Sequence, residues 1–195
     1  MQSFDARTAL IVVDVQNDFA DPAGSLHVPG GEDVVAPIDA LVTSAIEAAA
    51  SVVYTQDWHP PVTPHFASSG GLWPDHCVAG TWGAELHPGL RPRGPIVRKG
   101  SNGEDGYSGF TMRDPVSGET TPTELDGLLR GRGIERVVVT GLATDHCVRA
   151  TALDAVALGY TTSVPRSLMR AVDLTAGDGD RAIAEMAAAG VVIED

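Results

Sequence analysis

Basic residues are scarce in this chain: 13 Lys and Arg stand against 26 Asp and Glu, a net charge of −13. A surface of that sign repels nucleic acid and anionic membrane alike, which leaves a soluble protein acting on small molecules. Cysteine is scarcer still. Cys77 and Cys147 are the two, too few for a disulfide framework, and they read as thiols of a reducing, cytoplasmic compartment. No apolar run approaches the ~18 residues of a membrane span, and residues 1–7 lack the basic start and apolar core of a signal peptide. Internal repeats, low-complexity tracts and linkers are missing too. The 195 residues suffice for one domain, residues 1–195, with a full hydrophobic core, and a homo-oligomer is compatible with that composition.

What the chain does hold is a series of apolar runs that end in chemically competent residues. Residues 9–13 and 137–139 are uninterrupted Ala, Leu, Ile and Val, the pattern of strands buried on both faces. Shorter strands are predicted at residues 51–55, 95–98, 160–164 and 191–193. Between them, Asp33 opens a helix through Val34, Ile38, Leu41, Val42 and Ile46, and Thr123 caps another holding Leu125, Leu128 and Leu129. Val148, Ala152, Ala155 and Val156 recur at helical spacing until Gly159 stops them, and a last helix runs over residues 174–189 with Ile183 and Met186 inward. Strands alternating with helices predict an α/β fold: three layers, α/β/α, with a mostly parallel sheet of about six strands and helices on both faces.

The segment from Gly141 to Thr151 turns the 137–139 strand into a helix with Cys147 at the bend, behind Thr144 and Asp145 as N-cap residues. A lone cysteine is more often a packed core thiol. In a first helical turn, however, unpaired N–H groups favour a thiolate and can hold an oxyanion, which makes Cys147 a nucleophile candidate. Asp14, Asp57 and Lys99 each come at or just after the end of another predicted strand, and in open α/β sheets the carboxyl edge is where ligands bind. A carboxylate there can take the thiol proton and return it to a leaving amine, while an ammonium holds both anions and lowers the thiol pKa.

The chain from residue 56 to about residue 90 is rich in Pro, Gly, His and Trp, and a loop this long is usually functional. Apolar packing does not explain His59, His65 and His76 within it. With Asp57 they form a donor set suited to a borderline divalent metal, and Asp57 and His59 point to one side of an extended segment. Phe19, Trp73 and Tyr107 offer an aromatic clamp for a flat ring. His146, beside Cys147, projects about 100° away from it on a helix and is the weaker candidate base. Cys77 reads as a packed thiol, and His27 and His87 as loop residues.

These segments resemble the nicotinamidase/pyrazinamidase family of the isochorismatase-like cysteine hydrolases, over residues 8–193. Asp14-Val15-Gln16-Asn17-Asp18-Phe19 is similar to the family's catalytic aspartate segment, Lys99-Gly100 to its catalytic lysine, and Gly141 to Thr151 to its nucleophile turn. Asp57, His59, His65 and His76 match the family's metal ligands, with the match loosest over residues 101–106. The resemblance implies hydrolysis of nicotinamide to nicotinate and ammonia in NAD salvage, with pyrazinamide as a further aromatic amide substrate. Cys147 would be the nucleophile, Asp14 the base and then acid, and Lys99 their support. Ala143 and Cys147 would supply oxyanion-hole N–H groups behind a cis Leu142–Ala143 peptide. One zinc, iron or manganese ion would hold the ring nitrogen between Phe19 and Trp73. The rival readings are another isochorismatase-like hydrolase, acting on a carbamoyl compound or an enol ether, and a non-enzymatic metal or redox sensor.

Overall fold

A computed structural model of the chain describes residues 4–195. The 9–13 run forms β1 (Thr8–Val13), every residue of which is buried. It pairs in parallel with β2 (Ser51–Asp57) on one side and, six residues deep, with β6 (Arg136–Leu142) on the other. Adding β3 (Ile96–Lys99), β7 (Thr161–Pro165) and β9 (Val192–Glu194) gives the parallel order β3-β2-β1-β6-β7-β9. The expected six strands become seven, because the two-residue β8 (Met169–Arg170) pairs with Gly141 and Leu142 beyond the part of β6 that β7 covers. A separate antiparallel hairpin, β4 (Thr111–Arg113) with β5 (Thr120–Pro122), lies where the apolar pattern gives only loop. Its strands are exposed to half-buried and carry no core-facing alternation.

Alternate residues of the central strands feed two cores, as period-two side chains must. Leu10, Val12, Val52 and Tyr54 pack with Phe19 and Ala20 of α1 (Asn17–Ala20) and with Val34, Ile38 and Val42 of α2 (Gly31–Glu47). Ala9, Ile11, Val13, Val137 and Val139 pack with Leu125 and Leu129 of α3 (Leu125–Gly131), Ala152 and Ala155 of α4 (Arg149–Ala157) and Met186 of α5 (Asp178–Ala188). The sheet is thus covered on both faces, the expected α/β/α arrangement. Truncating a fully buried Leu or Ile in either core costs roughly 2–5 kcal/mol.

Three helix starts depart from expectation. The α2 helix begins two residues before Asp33 because Gly30, at φ 73°, takes the left-handed N-cap position. The α5 helix begins at Asp178 rather than near residue 174, after Gly177 at φ 84° breaks the approach and leaves Leu174 exposed. The turn after β6 opens as one π turn, Thr144–Val148, in which Val148 N–H donates to Ala143 O at 3.1 Å. Ala143, not Thr144 or Asp145, occupies the N-cap. The Asp145 carboxylate is engaged elsewhere, accepting from the backbone N–H groups of Val172 and Asp173 at 3.0 and 2.8 Å. Such π turns recur at functional sites.

Candidate active site

Four neighbouring strands deliver four side chains to one edge of the sheet. Lys99 is the last residue of β3 and Asp57 the last of β2, and the parallel register sets them opposite one another. Asp14 follows β1, and Cys147 lies in the π turn after β6. Asp14 takes φ 49°, a left-handed conformation that Asp and Asn tolerate better than other side chains. Beside it Gly141, at φ 116°, admits no substitute, since a Cβ there would stand 2.1 Å from Val13 O.

The four side chains meet in a buried cluster. Lys99 Nζ lies 2.7 Å from Asp14 Oδ2 and 3.8 Å from Cys147 Sγ, and it donates to Asp57 Oδ1 and to Gly106 O. Thr55 Oγ1 donates to Asp14 Oδ1 at 2.6 Å. Asp14 and Lys99 are wholly inaccessible to solvent. Burial raises the Asp14 carboxyl to about 6, opposed by the Lys99 charge and helped by that of Asp57. Burial would raise Asp57 as well, but Lys99 and then His59 hold it well below the usual carboxylate range. Lys99 is charged despite burial, its pKa lifted by Asp14, Asp57 and Cys147.

Cys147 departs from the expectation that an ammonium lowers its pKa. Burial drives the thiol well above its ordinary value; the Lys99 charge opposes the rise, and the carboxylates of Asp14 and Asp57 add to it. The resting sulfur is therefore a thiol rather than a preformed thiolate; Asp14 and Asp57 each bring a carboxylate oxygen within 4.8 Å of it, and of the two it is Asp14, the one raised by burial, that is suited to take the proton. The Leu142–Ala143 peptide is cis, as the resemblance implies. Cys77 is a buried free thiol beyond the cluster, its N–H donating to Asp18 Oδ2 at 2.7 Å.

Next to this cluster the long loop brings three imidazoles together. One ring nitrogen each of His59, His65 and His76 lies within 4.8 Å of the others, and all three residues are buried. His76 Nδ1 donates to Pro74 O and His65 Nδ1 to Asp105 Oδ1, both at 2.7 Å, so each ring keeps a free Nε2 lone pair. Neither ring nitrogen of His59 has a hydrogen-bond partner among the described residues. Burial lowers the pKa of His65, and that of His76 to about 4, keeping both rings neutral as metal binding requires. Imidazole nitrogens that face one another with lone pairs left unused are what a divalent cation satisfies, so the residues present fit such an ion. Asp57 borders both clusters, its Oδ2 standing 3.8 Å from His59 Nε2 while Oδ1 accepts from Lys99. Gly100 packs on the same ring: a Cβ there would lie 2.5 Å from His59 Cε1.

The three aromatic residues border the pocket that joins the clusters, with Cys147 and Ala143 at its base and His65 and His76 in its wall. Trp73 Nε1 donates to Tyr107 Oη at 2.8 Å, and Phe19 tilts against His76 at 5.4 Å between ring centroids. His146 stands edge-on to Trp73 and stacks on Tyr107. It is thus a wall of the pocket.

Several supporting side chains were not legible as such in the sequence. Gln16 acts as one rung of a strand beside Asp57: its Nε2 donates to Asp57 O and its Oε1 accepts from Asp57 N–H, each at 2.8 Å. Asp18 accepts from the N–H groups of Ser25 and Cys77, tying the Phe19 turn to the residue after His76. Thr55 and Asp105 complete the set. The one available signal was the polar run Gln16-Asn17-Asp18 close behind a buried strand; Asp105 gave none.

Residues 8–195 match the Isochorismatase domain family. The nicotinamidase/pyrazinamidase of Mycobacterium tuberculosis is 43% identical over 174 residues, 87% of this chain and 86% of that protein. Among solved structures, an L. infantum protein in complex with nicotinate superposes at a TM-score of 0.90 with 38% identity, covering 98% of this chain and 94% of that one. The pyrazinamidase of Pyrococcus horikoshii in complex with zinc gives a TM-score of 0.85 with 38% identity, covering 96% and 98%.

Proposed function

The chain belongs to the isochorismatase family, and from that membership we propose that it is a metal-dependent amidohydrolase that converts nicotinamide to nicotinate and ammonia in NAD salvage and also accepts pyrazinamide. The observation that carries the reading is a pocket lined by Cys147, Asp57, His65 and His76, with Asp14 and Lys99 clustered against the thiol and His59 grouped with the two lining imidazoles. A carbamoyl or enol-ether hydrolase has no use for those imidazoles, and a sensor has none for a buried base beside the thiol. The free thiols Cys77 and Cys147 support a cytoplasmic location, and the family match over residues 8–195 supports a one-domain hydrolase spanning the chain.

Cys147 Sγ attacks the carboxamide carbon as its proton passes to Asp14. Backbone N–H groups of Ala143 and Cys147 face the oxygen on which charge develops. Asp14 then gives the proton to the nitrogen as the C–N bond breaks, releasing ammonia and leaving a thioester. Water, losing a proton to Asp14, attacks that carbon; the C–S bond breaks, and Asp14 returns the proton to sulfur. Lys99 stays charged throughout. His59, His65 and His76, with Asp57, would hold one divalent ion, zinc, iron or manganese, which supplies a contact for the ring nitrogen. Phe19 and Trp73, braced by Tyr107, orient the flat ring so that its carboxamide meets Cys147.

Ammonia release from nicotinamide, pyrazinamide and benzamide under identical conditions tests the reading. The first two carry a nitrogen meta to the carboxamide-bearing carbon and benzamide a C–H. The expected kcat/KM for benzamide is lower by at least about 10², roughly 2.7 kcal/mol. Equal rates would remove the histidine cluster from substrate recognition, and no ammonia from nicotinamide would sink the proposal.

A further inference from the structure

His65 reaches the cluster from a loop with no strand beneath it, yet its ring is held from behind. Its Nδ1 donates to Asp105 Oδ1 at 2.7 Å, and the pair is almost fully sequestered from solvent, with side-chain exposures of 5% and 13%. Asp105 is itself fixed on two sides. Its backbone exchanges both hydrogen bonds with Arg113, at 2.7 and 3.2 Å, which clips it to the last residue of β4 in the β4–β5 hairpin. Its second carboxylate oxygen lies 3.5 Å from Arg113 Nη1. A parallel tether runs through Thr63, whose Oγ1 accepts from His65 N–H at 3.2 Å and donates to Gly103 O at 2.9 Å. The segment of residues 101–106 is thus the scaffold against which His65 is set.

We infer that Asp105 is a positioning residue for the metal centre: it fixes the Nδ1–H tautomer of His65, aims Nε2 at the ion and raises the basicity of that nitrogen, while the hairpin holds Asp105 in place. The inference rests on the reading that His59, His65 and His76 bind a divalent cation. The physical reason is that an imidazole with a carboxylate on its far nitrogen is both oriented and polarised, and outer partners of this kind change metal affinity by about 10–100-fold. Among the three rings the arrangement is unequal. His76 has a neutral carbonyl behind it and His59 has no hydrogen-bond partner among the described residues, so His65 is the one of the three rings with a carboxylate hydrogen-bonded to its far nitrogen.

The test is zinc affinity of the full chain, stripped and retitrated in competition with a chromophoric chelator, for wild type, Asp105→Ala and Asp105→Asn. Asp105→Ala removes the acceptor and is expected to raise the zinc Kd at least about tenfold. Asp105→Asn keeps an amide oxygen for His65 Nδ1–H but no charge, and is expected to fall between, which a residue that merely supported the loop would not show. The melting temperatures of the apoproteins report any loss of fold, and if Asp105→Ala does not fold, Asp105→Asn decides by its Kd alone. Zinc bound by wild type and variants with equal affinity would overturn the inference and leave the metal reading standing. A wild-type chain that takes up no zinc would overturn both.

Discussion

Asp14→Asn isolates proton transfer from everything else Asp14 does. Asn is nearly isosteric, tolerates the φ of 49° that Asp14 adopts, and keeps an oxygen for the Thr55 hydroxyl. What it cannot do is accept the thiol proton. At its ordinary pKa a cysteine is ionised only to a few per cent at pH 7, and Cys147 lies well above that value through burial and the neighbouring carboxylates. Attack by a thiol that must lose its proton unaided forfeits the factor of roughly 10²–10⁴ that a positioned base supplies, about 3–5 kcal/mol of barrier. The pH dependence carries a second signature. Asp14 acts as base only when ionised, and burial raises it to about 6, so wild-type kcat/KM should fall as the pH drops through about 6. That apparent value belongs to the coupled Asp14–Lys99–Cys147 group. In Asp14→Asn the acid limb should vanish, and the residual rate should climb with pH as more of the thiol ionises. The assay is ammonia release from nicotinamide over a pH series, with Cys147→Ala as the floor. Asp14→Asn retaining more than about a tenth of wild-type turnover, or keeping the limb near pH 6, would refute the assignment.

Chelation or His59→Ala should abolish most turnover without unfolding the domain, since the core strands do not run through residues 58–90; adding zinc back should restore the chelated enzyme and not the variant, as ammonia assays alongside circular dichroism would show. Away from the site, Asp39 at the centre of α2 accepts from Arg91 N and Nε at 3.1 and 3.2 Å, an interaction that lowers its pKa. A depressed carboxylate stabilises the fold above its unfolded value near 4 and loses that contribution as the pH falls through its folded value. With Arg91 largely exposed, Asp39→Asn should cost about 1 kcal/mol at pH 7 and much less near pH 2, a narrowing that urea unfolding at the two pH values measures.

The parts legible in the sequence were those written as local pattern. An uninterrupted run such as residues 9–13 has no polar face, so it belongs in the middle of a parallel sheet, and Asp14 at its end has to lie on the carboxyl edge. The same logic places Asp57, Lys99 and Cys147, and three histidines in one loop announce themselves by composition. The illegible parts are set by partners distant in sequence. Gln16 pairs with Asp57 41 residues on, and Asp105 backs His65 across 40 residues. The two strands of the hairpin have no buried face to betray them. The π turn and the engaged carboxylate of Asp145 are linked: the side chain read as a helix cap is drawn to the N–H groups of Val172 and Asp173, 27 and 28 residues away, and the turn opens without it. The thiol pKa was misread for a related reason. A first helical turn and an ammonium argue for a thiolate one at a time, whereas burial and two carboxylates, which act only once the chain is folded, reverse the balance.

That reversal explains why a lysine sits at the centre. With Asp14 and Asp57 ionised, Lys99 charged and Cys147 protonated, the buried cluster carries one net negative charge; moving the thiol proton to Asp14 relocates a negative charge and leaves the total unchanged. Creating charge at a fully buried position would cost several kcal/mol in desolvation, a penalty that relocation largely avoids. What remains is the difference in attraction to Lys99, which lies 2.7 Å from Asp14 Oδ2 and 3.8 Å from Cys147 Sγ. At an effective dielectric of about 20 those separations correspond to roughly 6 and 4 kcal/mol, so the ammonium opposes the transfer by only about 2 kcal/mol. A cation touching Asp14 alone would oppose it by the larger figure. Because Lys99 reaches both the acceptor and the sulfur from the end of β3, it stabilises the cluster before and after the proton moves.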